Sequence, residues 1–319
     1  MWKHGMQNII EEMQPTIERL ASKKALLDEQ RPLPDFIVQK IKEGLNVEWT
    51  YNSNSIEGNT LSLNETKIVL EEGITIGGKS LREHFEITNH HEAIEFLEGL
   101  AKPKYVLTER DVLDVHELVM SKIAKDFAGR IRNVPVRITG ANFTPPSVAK
   151  VPEMLTELID FVNENPLKLN DVLLTSLFHH RFVWIHPFID GNGRTVRLVM
   201  NLLLMRKGYP PAIILKTDRK KYYDALNQAN KGSYQKLALL MAQATERSLD
   251  IYLNSLPKTY KEIKSISNLV EEDEIPYGQE YISLLARQGK IAAYKEGRNW
   301  VTTEEAIAEY RKSRKRNRK

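Results

Sequence analysis

Apolar residues recur at helical spacing along most of the chain. In the first hundred residues the period is carried by Ile10, Met13, Ile17 and Leu20, and then by Phe36, Ile37, Ile41 and Leu45. Pro15 predicts a break or a helix start, because proline lacks the amide hydrogen that a helix interior requires. The Arg-Pro-Leu-Pro segment at residues 31 to 34 interrupts the pattern. Residues 1 to 104 are therefore predicted to form an N-terminal helical region.

Two later helix starts carry a specific signature. Residues 62 to 65 read Ser-Leu-Asn-Glu and residues 80 to 83 read Ser-Leu-Arg-Glu. In such a capping box the serine and the glutamate each accept a bond from an amide that the first helical turn leaves free. We expect an amphipathic helix to begin at both places.

After residue 105, helical segments alternate with one extended stretch. Helices are predicted over residues 108 to 123, 155 to 162, 171 to 184, 194 to 205 and 234 to 253. Between the first two, Val134, Val136 and Ile138 alternate with polar residues, and turn-forming residues follow at 139 to 142. This pattern predicts a short hairpin in a helical setting. Residues 105 to 255 are taken as one domain.

Composition excludes several classes of protein. Of the 319 residues, 41% are apolar and 28% are charged, and the absence of cysteine excludes disulfides and thiolate metal sites. No signal-peptide pattern is present and the apolar runs are too short to span a bilayer, so a cytoplasmic location without membrane contact is expected. The net charge of +4 includes seven Lys or Arg within residues 311 to 319. The basic character therefore belongs to a tail, which is expected to be disordered.

The densest chemistry lies in residues 186 to 197, His-Pro-Phe-Ile-Asp-Gly-Asn-Gly-Arg-Thr-Val-Arg. The glycines precede an amphipathic helix, and a helix N-terminus offers free amides to an anion such as phosphate. Arg194 and Arg197 share one helical face and add planar donors. Asp190 is a hard oxygen ligand suited to Mg²⁺, and His186 titrates near neutrality and can take a proton. These residue types predict a phosphate site beside a general base.

The same twelve residues resemble the signature of the Fic family, His-x-Phe-x-Asp/Glu-Gly-Asn-Gly-Arg-x-x-Arg, at every fixed position. The resemblance implies a mainly α fold, a helical bundle with a short β-hairpin flap, and transfer of AMP from ATP to a Tyr, Thr or Ser hydroxyl of a protein. His186 would be the general base and Asp190 the Mg²⁺ ligand. The phosphates would be held by Gly191, Asn192, Gly193, Arg194 and Arg197. The target protein would dock along the flap at residues 134 to 143.

A second motif lies in the N-terminal helical region. Residues 53 to 58, Ser-Asn-Ser-Ile-Glu-Gly, match the inhibitory motif of many Fic proteins, Ser/Thr-x-x-x-Glu-Gly/Asn. The match implies that Ser53 and Glu57 restrain the enzyme, with Glu57 forming a bidentate pair with Arg197 in the place of the γ phosphate. The alternative is a solvated glutamate near a helix end.

The segment after the motif resembles the nucleotide-base region of the family. Tyr222 and Tyr223 would contact the adenine, one of them lying in the core, and Asn230 would hydrogen-bond the base or the ribose. His179 and His180 are neighbours on a helix and diverge by about 100°, so they do not face one metal ion. We expect one in the core and the other at the surface.

Residues 256 to 319 form a third predicted unit, with helices and two glycine turns that flank an alternating segment. The pattern is similar to winged helix-turn-helix modules of the excisionase type. Residues 260 to 319 would then contact DNA, and a docking or dimerising role, including a homodimer of this chain, is equally compatible. Phosphate contacts would come from Arg287, Lys290, Lys295 and Arg298.

Three functions follow as hypotheses. The first is an autoinhibited protein adenylyltransferase that uses ATP and Mg²⁺. The second is the reverse reaction on the same fold, in which Glu57 activates water to remove AMP. The third is a DNA-bound regulator whose Fic core serves as a nucleotide sensor.

Overall fold

The computed structural model describes residues 6–138, 140–141, 143–256, 262–272 and 275–316. Contacts divide the chain into two compact units, Gln39–Ala238 and Met1–Val38 together with Leu239–Lys319. These boundaries differ from the three-part division expected from the sequence, because the first helix belongs with the C-terminal segment. No helix in the described ranges has the length and apolar character needed to cross a membrane.

The unit Gln39–Ala238 is helical, as predicted. Its helices are α2 (Asp35–Ile56), which begins before the unit, α3 (Leu63–Glu72), α4 (Leu81–Leu100), α5 (Glu109–Met120), α6 (Val151–Glu164), α7 (Asp171–Ile185), α8 (Asn192–Met205), α9 (Arg219–Ala229) and the start of α10 (Gln235–Asn254). Helix α8 packs against α7, α5 and α4. All but two of its residues are buried, so it forms the centre of this unit.

The helix boundaries follow the local signals. Ser62 and Ser80 complete the two predicted capping boxes, and Thr108 caps α5 in the same way with Asp111. The side chain of Asn170 accepts a bond from Val172 N at the start of α7. Each cap satisfies amides that the first turn leaves without a partner, which fixes where the helix begins.

The second unit contains α1 (Met6–Glu29), the remainder of α10, β1 (Lys264–Ser265), α11 (Ile266–Glu272), α12 (Gln279–Arg287), β2 (Ala293–Glu296), β3 (Asn299–Thr302) and α13 (Glu304–Arg316). The three strands form an antiparallel sheet in the order β1-β3-β2. The apolar core beneath it is formed by Ile266, Leu269, Ile282, Leu285, Ala286, Ile291, Ala293 and Ile307. In this unit α11 and α12 are followed by the β2-β3 hairpin, and the winged-helix-like module stays a prediction.

A buried ion cluster supports the second unit from α1 and α10. The carboxylate of Glu246 is fully buried and pairs with Arg19 at 2.6 Å and Lys23 at 2.9 Å. Lys23 also bonds to Asp250 at 2.7 Å. Burial raises the pKa of Asp250 to about 6, against the opposing effect of Lys23.

Three expectations need correction. Helix α1 continues through Pro15, because the burial of Ile9, Met13, Leu20 and Leu27 outweighs the loss of one hydrogen bond. Most of the basic tail is also ordered, since α13 extends to Arg316. In segment 134–143, the described residues form a turn between Ile138 O and Ala141 N without strand pairing. Thr139 and Asn142, two of the predicted turn residues, lie outside the described residues.

Candidate active site

The motif residues occupy the loop between α7 and α8. Helix α7 ends at Ile185, and the next residue, His186, has left-handed backbone angles (φ 52°, ψ 62°) and donates its N–H to Phe182 O at 2.9 Å. Helix α8 begins directly after Gly191, whose φ of 76° suits glycine. A Cβ atom at Gly191 would also approach Met120 Sδ to 2.9 Å. The tight turn therefore places a histidine side chain beside the N-terminal amides of a helix.

The inside of this loop is braced by its own residues and by His116. Asn192 Oδ1 accepts from Phe188 N at 3.0 Å, and Asn192 Nδ2 donates to Phe188 O at 2.8 Å. The buried ring of Phe188 stacks parallel to the His116 imidazole at a centroid distance of 3.6 Å. The side chain of Asn192 is thus used within the loop, and only its main chain is left for a ligand.

His116 holds the loop through a fixed tautomer. Gly129 N donates to its Nδ1 at 3.0 Å, so Nε2 carries the hydrogen and donates to Asp190 O at 3.0 Å. Burial lowers the pKa of His116 to about 4, and the nearby charge of Arg194 adds to this effect. His116 is therefore neutral at physiological pH and positions Asp190 through its carbonyl.

Arg132 ties the same loop to the segment expected to dock a target. Its Nε donates to His186 O at 2.8 Å, and its main-chain N donates to Pro187 O at 2.8 Å. Its two other nitrogens reach Val134 O at 3.3 Å and Pro146 O at 2.6 Å. One buried guanidinium thus bonds to the loop between α7 and α8, to the start of segment 134–143 and to Pro146, three residues after that segment. Sequence reasoning missed both His116 and Arg132, since neither belongs to the quoted motif.

His186 has the geometry of a general base. Its Nδ1 lies 3.2 Å from Val183 O, a carbonyl that can only accept, so Nδ1 carries the hydrogen and Nε2 has a free lone pair. Burial lowers the pKa of His186 from its ordinary value, while the bond to Val183 partly opposes the shift. The imidazole is consequently neutral at pH 7 and can accept a proton through Nε2.

The first turn of α8 and two arginines form an anion site. Arg194 and Arg197 are both buried, and Arg194 Nη1 lies 3.4 Å from Glu86 Oε1. Within the described residues, Arg194 Nε and Arg197 Nη1 have no hydrogen-bond partner. Arg197 Nη1 would lie 3.1 Å from a Cβ atom at Gly193. Buried N–H groups without acceptors are costly, so these donors indicate a ligand with several acceptor oxygens. A phosphate chain has this character.

Glu57 occupies part of the same anion site. Its Oε1 accepts from Arg197 Nη2 at 2.7 Å, and a Cβ atom at Gly193 would collide with that oxygen. Burial alone would lower the pKa of Arg197, but the charge and hydrogen bond of Glu57, together with the nearby Tyr222 and Tyr223, outweigh it and raise the pKa. The carboxylate thus lies over the N-terminal turn of α8, whose free amides suit an anion.

The Glu57 contact is not the bidentate pair expected from the sequence. Arg197 Nε donates to Ser53 Oγ at 3.0 Å, and Arg197 Nη2 also donates to Ser53 O at 2.8 Å. Ser53 therefore binds the edge of the guanidinium formed by Nε and Nη2, and Glu57 contacts only Nη2, which it shares with Ser53 O. Because α2 ends at Ile56, both groups come from the last turn of that helix and the residue after it.

Asp190 faces the site with a half-exposed carboxylate. Its Oδ1 accepts from Gly191 N at 2.6 Å and its Oδ2 from Arg82 Nη2 at 2.8 Å. Burial raises its pKa, but the charges of Arg194 and Arg82 and the Gly191 amide together lower it. An ionised, half-exposed carboxylate beside an anion site fits Mg²⁺, which commonly binds through one carboxylate and substrate phosphates.

The residues predicted to contact the base line the same cavity as the motif residues. Tyr222 is the tyrosine in the core: it is 1% exposed, and its hydroxyl lies 2.8 Å from His179 Nε2. Tyr223 is only partly buried, and the guanidinium of Arg219 lies 5.0 Å from the centre of its ring. Asn230 Oδ1 lies 2.8 Å from His180 Nε2. The expectation that one of the paired histidines is at the surface was wrong, since both are buried and each bonds to one α9-region residue.

One cavity of about 590 Å³ joins these groups. Its lining includes Glu57, His186, Asp190, Gly191, Asn192, Gly193 and Arg194, together with Tyr222, Tyr223 and Asn230. Arg137, Ile138, Gly140, Ala141 and Phe143 border its mouth. The structure therefore brings the predicted base, anion site and base-binding residues to one space beside segment 134–143. Arg197 and Ser53 lie behind it and act through Glu57.

Comparison with known proteins identifies the same region. Residues 106–204 match the model of the Fic/DOC family. Protein adenylyltransferase fic-1 of Caenorhabditis elegans is 37% identical over 211 residues, which cover 65% of this chain and 41% of that protein. Protein adenylyltransferase Fic of Aedes aegypti is 32% identical over 87% of this chain and 55% of its own length. The chain thus spans about half the length of the curated relatives it matches.

Solved structures agree with this result. Fic-1 (aa134–508) from C. elegans has a TM-score of 0.69 at 33% identity, over 78% of this chain and 74% of that one. A Fic domain containing signaling protein from Bacteroides thetaiotaomicron also gives 0.69, at 28% identity over 75% of this chain and 96% of that one. The similarity extends beyond the matched motif to most of the helical architecture.

Proposed function

Because the chain belongs to the Fic/DOC family, we propose that it is a protein adenylyltransferase, which transfers AMP from ATP to a Tyr, Thr or Ser hydroxyl of another protein. One observation carries the proposal. His186, with its Nε2 lone pair free, lines the same cavity as the helix N-terminus and Arg194, and Arg197 lies behind Glu57; these donors suit a triphosphate. We call the part formed by residues 186 to 197 with Glu57 the phosphate end. The part formed by Tyr222, Tyr223 and Asn230 is the base end.

The residues have distinct tasks in this reaction. The target hydroxyl oxygen attacks the α phosphorus, its proton passes to His186 Nε2, and the bond from the α phosphorus to pyrophosphate breaks. The α8 amides and the donors of Arg194 and Arg197 bind the phosphate oxygens and stabilise the charge on the leaving group. Asp190 would hold Mg²⁺, which supplies charge neutralisation when bound. Residues 134 to 143 border the cavity where the target hydroxyl must enter.

Glu57 would restrain this activity. With its carboxylate on Arg197, the γ phosphate meets a negative charge and loses one arginine donor, so the triphosphate binds with a poorly aligned α phosphorus. The rival reaction on the same fold removes AMP from the modified protein with Glu57 activating water. The position of Glu57 in the lining of the cavity is the observation that favours this second candidate.

A third candidate concerns the C-terminal unit. The order β1-α11-α12-β2-β3 and the antiparallel sheet support a winged-helix role in DNA contact by residues 260 to 319. A specific operator complex should survive deletion of residues 311 to 319, whereas tail-driven binding would vanish. Gel shifts without a sequence-specific complex at physiological salt would remove this candidate. Homodimer formation by the chain is a separate proposal, and sedimentation measurements would test it.

The direct test of AMP transfer compares two labels. A lysate incubated with Mg²⁺ and ATP labelled at the α phosphate should give labelled protein, and mass spectrometry should find AMP on a hydroxyl side chain. ATP labelled at the γ phosphate should give no label with the same protein, because pyrophosphate leaves. Label from the γ position would contradict AMP transfer and indicate phosphorylation. Release of AMP from a modified target, lost in Glu57→Gly, would favour the hydrolytic candidate.

A further inference from the structure

The paired histidines of α7 stand behind the base end of the cavity. His180 is 2% exposed, and its Nε2 lies 2.8 Å from Asn230 Oδ1. The edge of its ring contacts Tyr234 at a centroid distance of 5.1 Å and an interplanar angle of 86°. His180 therefore has one orientation, fixed by packing on one side and by Asn230 on the other.

The tautomer of His180 follows from its two nitrogens. Nδ1 is buried and has no hydrogen-bond partner within the described residues. A hydrogen on Nδ1 would be a buried donor without an acceptor, which is less tolerable than an unused lone pair. The hydrogen is thus on Nε2, which donates to Asn230 Oδ1. Burial lowers the pKa of His180 to about 4, so the ring stays neutral near pH 7.

This bond decides which face of the Asn230 amide is offered to a ligand. Since Oδ1 points at His180, the amide nitrogen Nδ2 is the group left over. Asn230 lines the cavity and is partly exposed, and no described residue accepts a hydrogen bond from its Nδ2. At this point the cavity wall therefore presents a donor and not an acceptor.

We propose that His180 is a positioning residue that sets base specificity by turning the Asn230 amide nitrogen toward a ring nitrogen of the nucleotide base. The inference rests on the proposed binding of ATP in this cavity. Adenine carries lone pairs on its ring nitrogens and matches a donor in the wall. A base edge that presents N–H at this point meets a second donor and is rejected, because a buried polar group is left unpaired. His180 needs no contact with the nucleotide to act in this way.

The test is a double-mutant cycle in the full chain, read by calorimetry. All proteins carry Glu57→Gly, so that the carboxylate does not limit binding, and are titrated with ATP and with inorganic tripolyphosphate in Mg²⁺. His180→Phe keeps the ring contact with Tyr234 but cannot donate to Asn230. His180→Phe and Asn230→Ala should each weaken ATP binding about tenfold, the usual size for one hydrogen bond in a buried site. The double variant should lose no more than either single change.

Tripolyphosphate distinguishes base recognition from general damage. Its affinity should be unchanged in all variants, because it lacks a base and uses only the phosphate end. His180→Gln, whose amide can still donate to Asn230, should recover most of the ATP affinity. Additive losses in the double variant, or equal losses for tripolyphosphate and ATP, would overturn the inference. The inference would also be overturned if the Glu57→Gly parent protein bound ATP no more tightly than tripolyphosphate. This binding result does not depend on whether the transfer assay succeeds.

Discussion

The two ends of the cavity differ in how their polar groups are satisfied. At the phosphate end, charged groups face one another: Glu57 pairs with Arg197, Arg82 with Asp190 and Glu86 with Arg194. At the base end, Tyr222 and Asn230 hydrogen-bond to neutral side chains, His179 and His180. Charges at the phosphate end hold places that a nucleotide and a metal ion would take. At the base end, the direction of a hydrogen bond instead determines which group of Asn230 faces the cavity.

This difference has a consequence for regulation. A charge interacts strongly in a partly buried site. Exchanging one charged partner for another at the phosphate end therefore changes both the affinity for ATP and the alignment of its α phosphorus. A neutral hydrogen bond contributes about 1 kcal/mol net. We therefore expect restraint and catalysis to be governed at the phosphate end and selectivity to be adjusted at the base end.

The largest effect is expected for His186→Ala. Loss of the general base should reduce AMP transfer by about 10²–10⁴-fold, while ATP affinity changes little, because Nε2 acts on the target hydroxyl. Transfer rates with labelled ATP and calorimetry of ATP binding check the two parts. His91→Ala, which removes a partly exposed histidine of α4 outside the cavity, is the control. A transfer rate equal to that of the wild type would show that the assigned base is wrong.

Glu57→Gly should have the next largest effect, in the opposite direction. Release of Arg197 allows the γ phosphate to bind and aligns the α phosphorus, so auto-modification should rise about 100-fold. Arg197→Ala should give no such gain. It removes the contact that holds Glu57, but it also removes the arginine that would bind the γ phosphate. Glu72→Gly, an exposed carboxylate at the end of α3, is the matched control. Equal rates for wild type and Glu57→Gly would refute restraint at the phosphate end.

The pH dependence separates the two ends. The pKa of His186 lies below its ordinary value of about 6.5, and the neutral ring is the active form. Transfer should therefore stay level from pH 8 through 6.5 and fall about tenfold per pH unit only below the depressed pKa. His180, with a pKa of about 4, should not titrate over the same range. A fall in rate that begins above about pH 6.5 would contradict the burial-induced shift of His186.

Arg82→Gln should produce a smaller change. Arg82 must leave Asp190 before a metal ion binds, but the pair is half exposed, so water screens it. The Mg²⁺ concentration for half-maximal transfer should fall by about two- to fivefold, with the rate at saturating Mg²⁺ unchanged. Arg110→Gln, which breaks an exposed ion pair with Asp114, serves as the control. An increased Mg²⁺ requirement would show that Arg82 assists metal binding.

The smallest functional effect is expected for Tyr222→Phe. Loss of the hydroxyl removes the bond to His179 and should lower the free energy of unfolding by about 1 kcal/mol. ATP affinity should be unchanged, because this hydroxyl faces the core. Tyr223→Ala, which removes a partly exposed ring, should instead weaken ATP binding. Thermal unfolding and calorimetry on the two variants check these expectations. Weaker ATP binding by Tyr222→Phe, with unchanged binding by Tyr223→Ala, would show that the roles of the two tyrosines are reversed.

The phosphate end could be predicted from the sequence because its groups are contiguous. Glycine at a positive φ, a helix start and two arginines three residues apart are local features with local physical causes. The family and the mainly helical fold followed from the same segment and are confirmed. The pairing of Glu57 with Arg197 was also anticipated, although its geometry differs because Ser53 occupies one side of the guanidinium.

The supports of the site could not be predicted in the same way. His116 and Arg132 donate hydrogen bonds to main-chain carbonyls of the loop. Because every residue has such a carbonyl, the sequence does not show which ones are used. The division of labour between Tyr222 and Tyr223 depends on the rotation of α9, which a pair of identical adjacent residues does not reveal. The expectation that one of His179 and His180 lies at the surface failed for a related reason. Helical spacing alone assumes one exposed face, but residues on both sides of α7 are buried.

The four bonds of Arg132 have a consequence for protein engineering. A designer who transplants residues 186–197 onto another pair of helices would carry over every signature residue but neither Arg132 nor His116. The grafted histidine would then lack the guanidinium that holds its carbonyl, and segment 134–143 at the mouth of the cavity would have no fixed position relative to it. The portable unit is thus larger than the motif: it extends from α5 to α8 and includes the segment between α5 and α6.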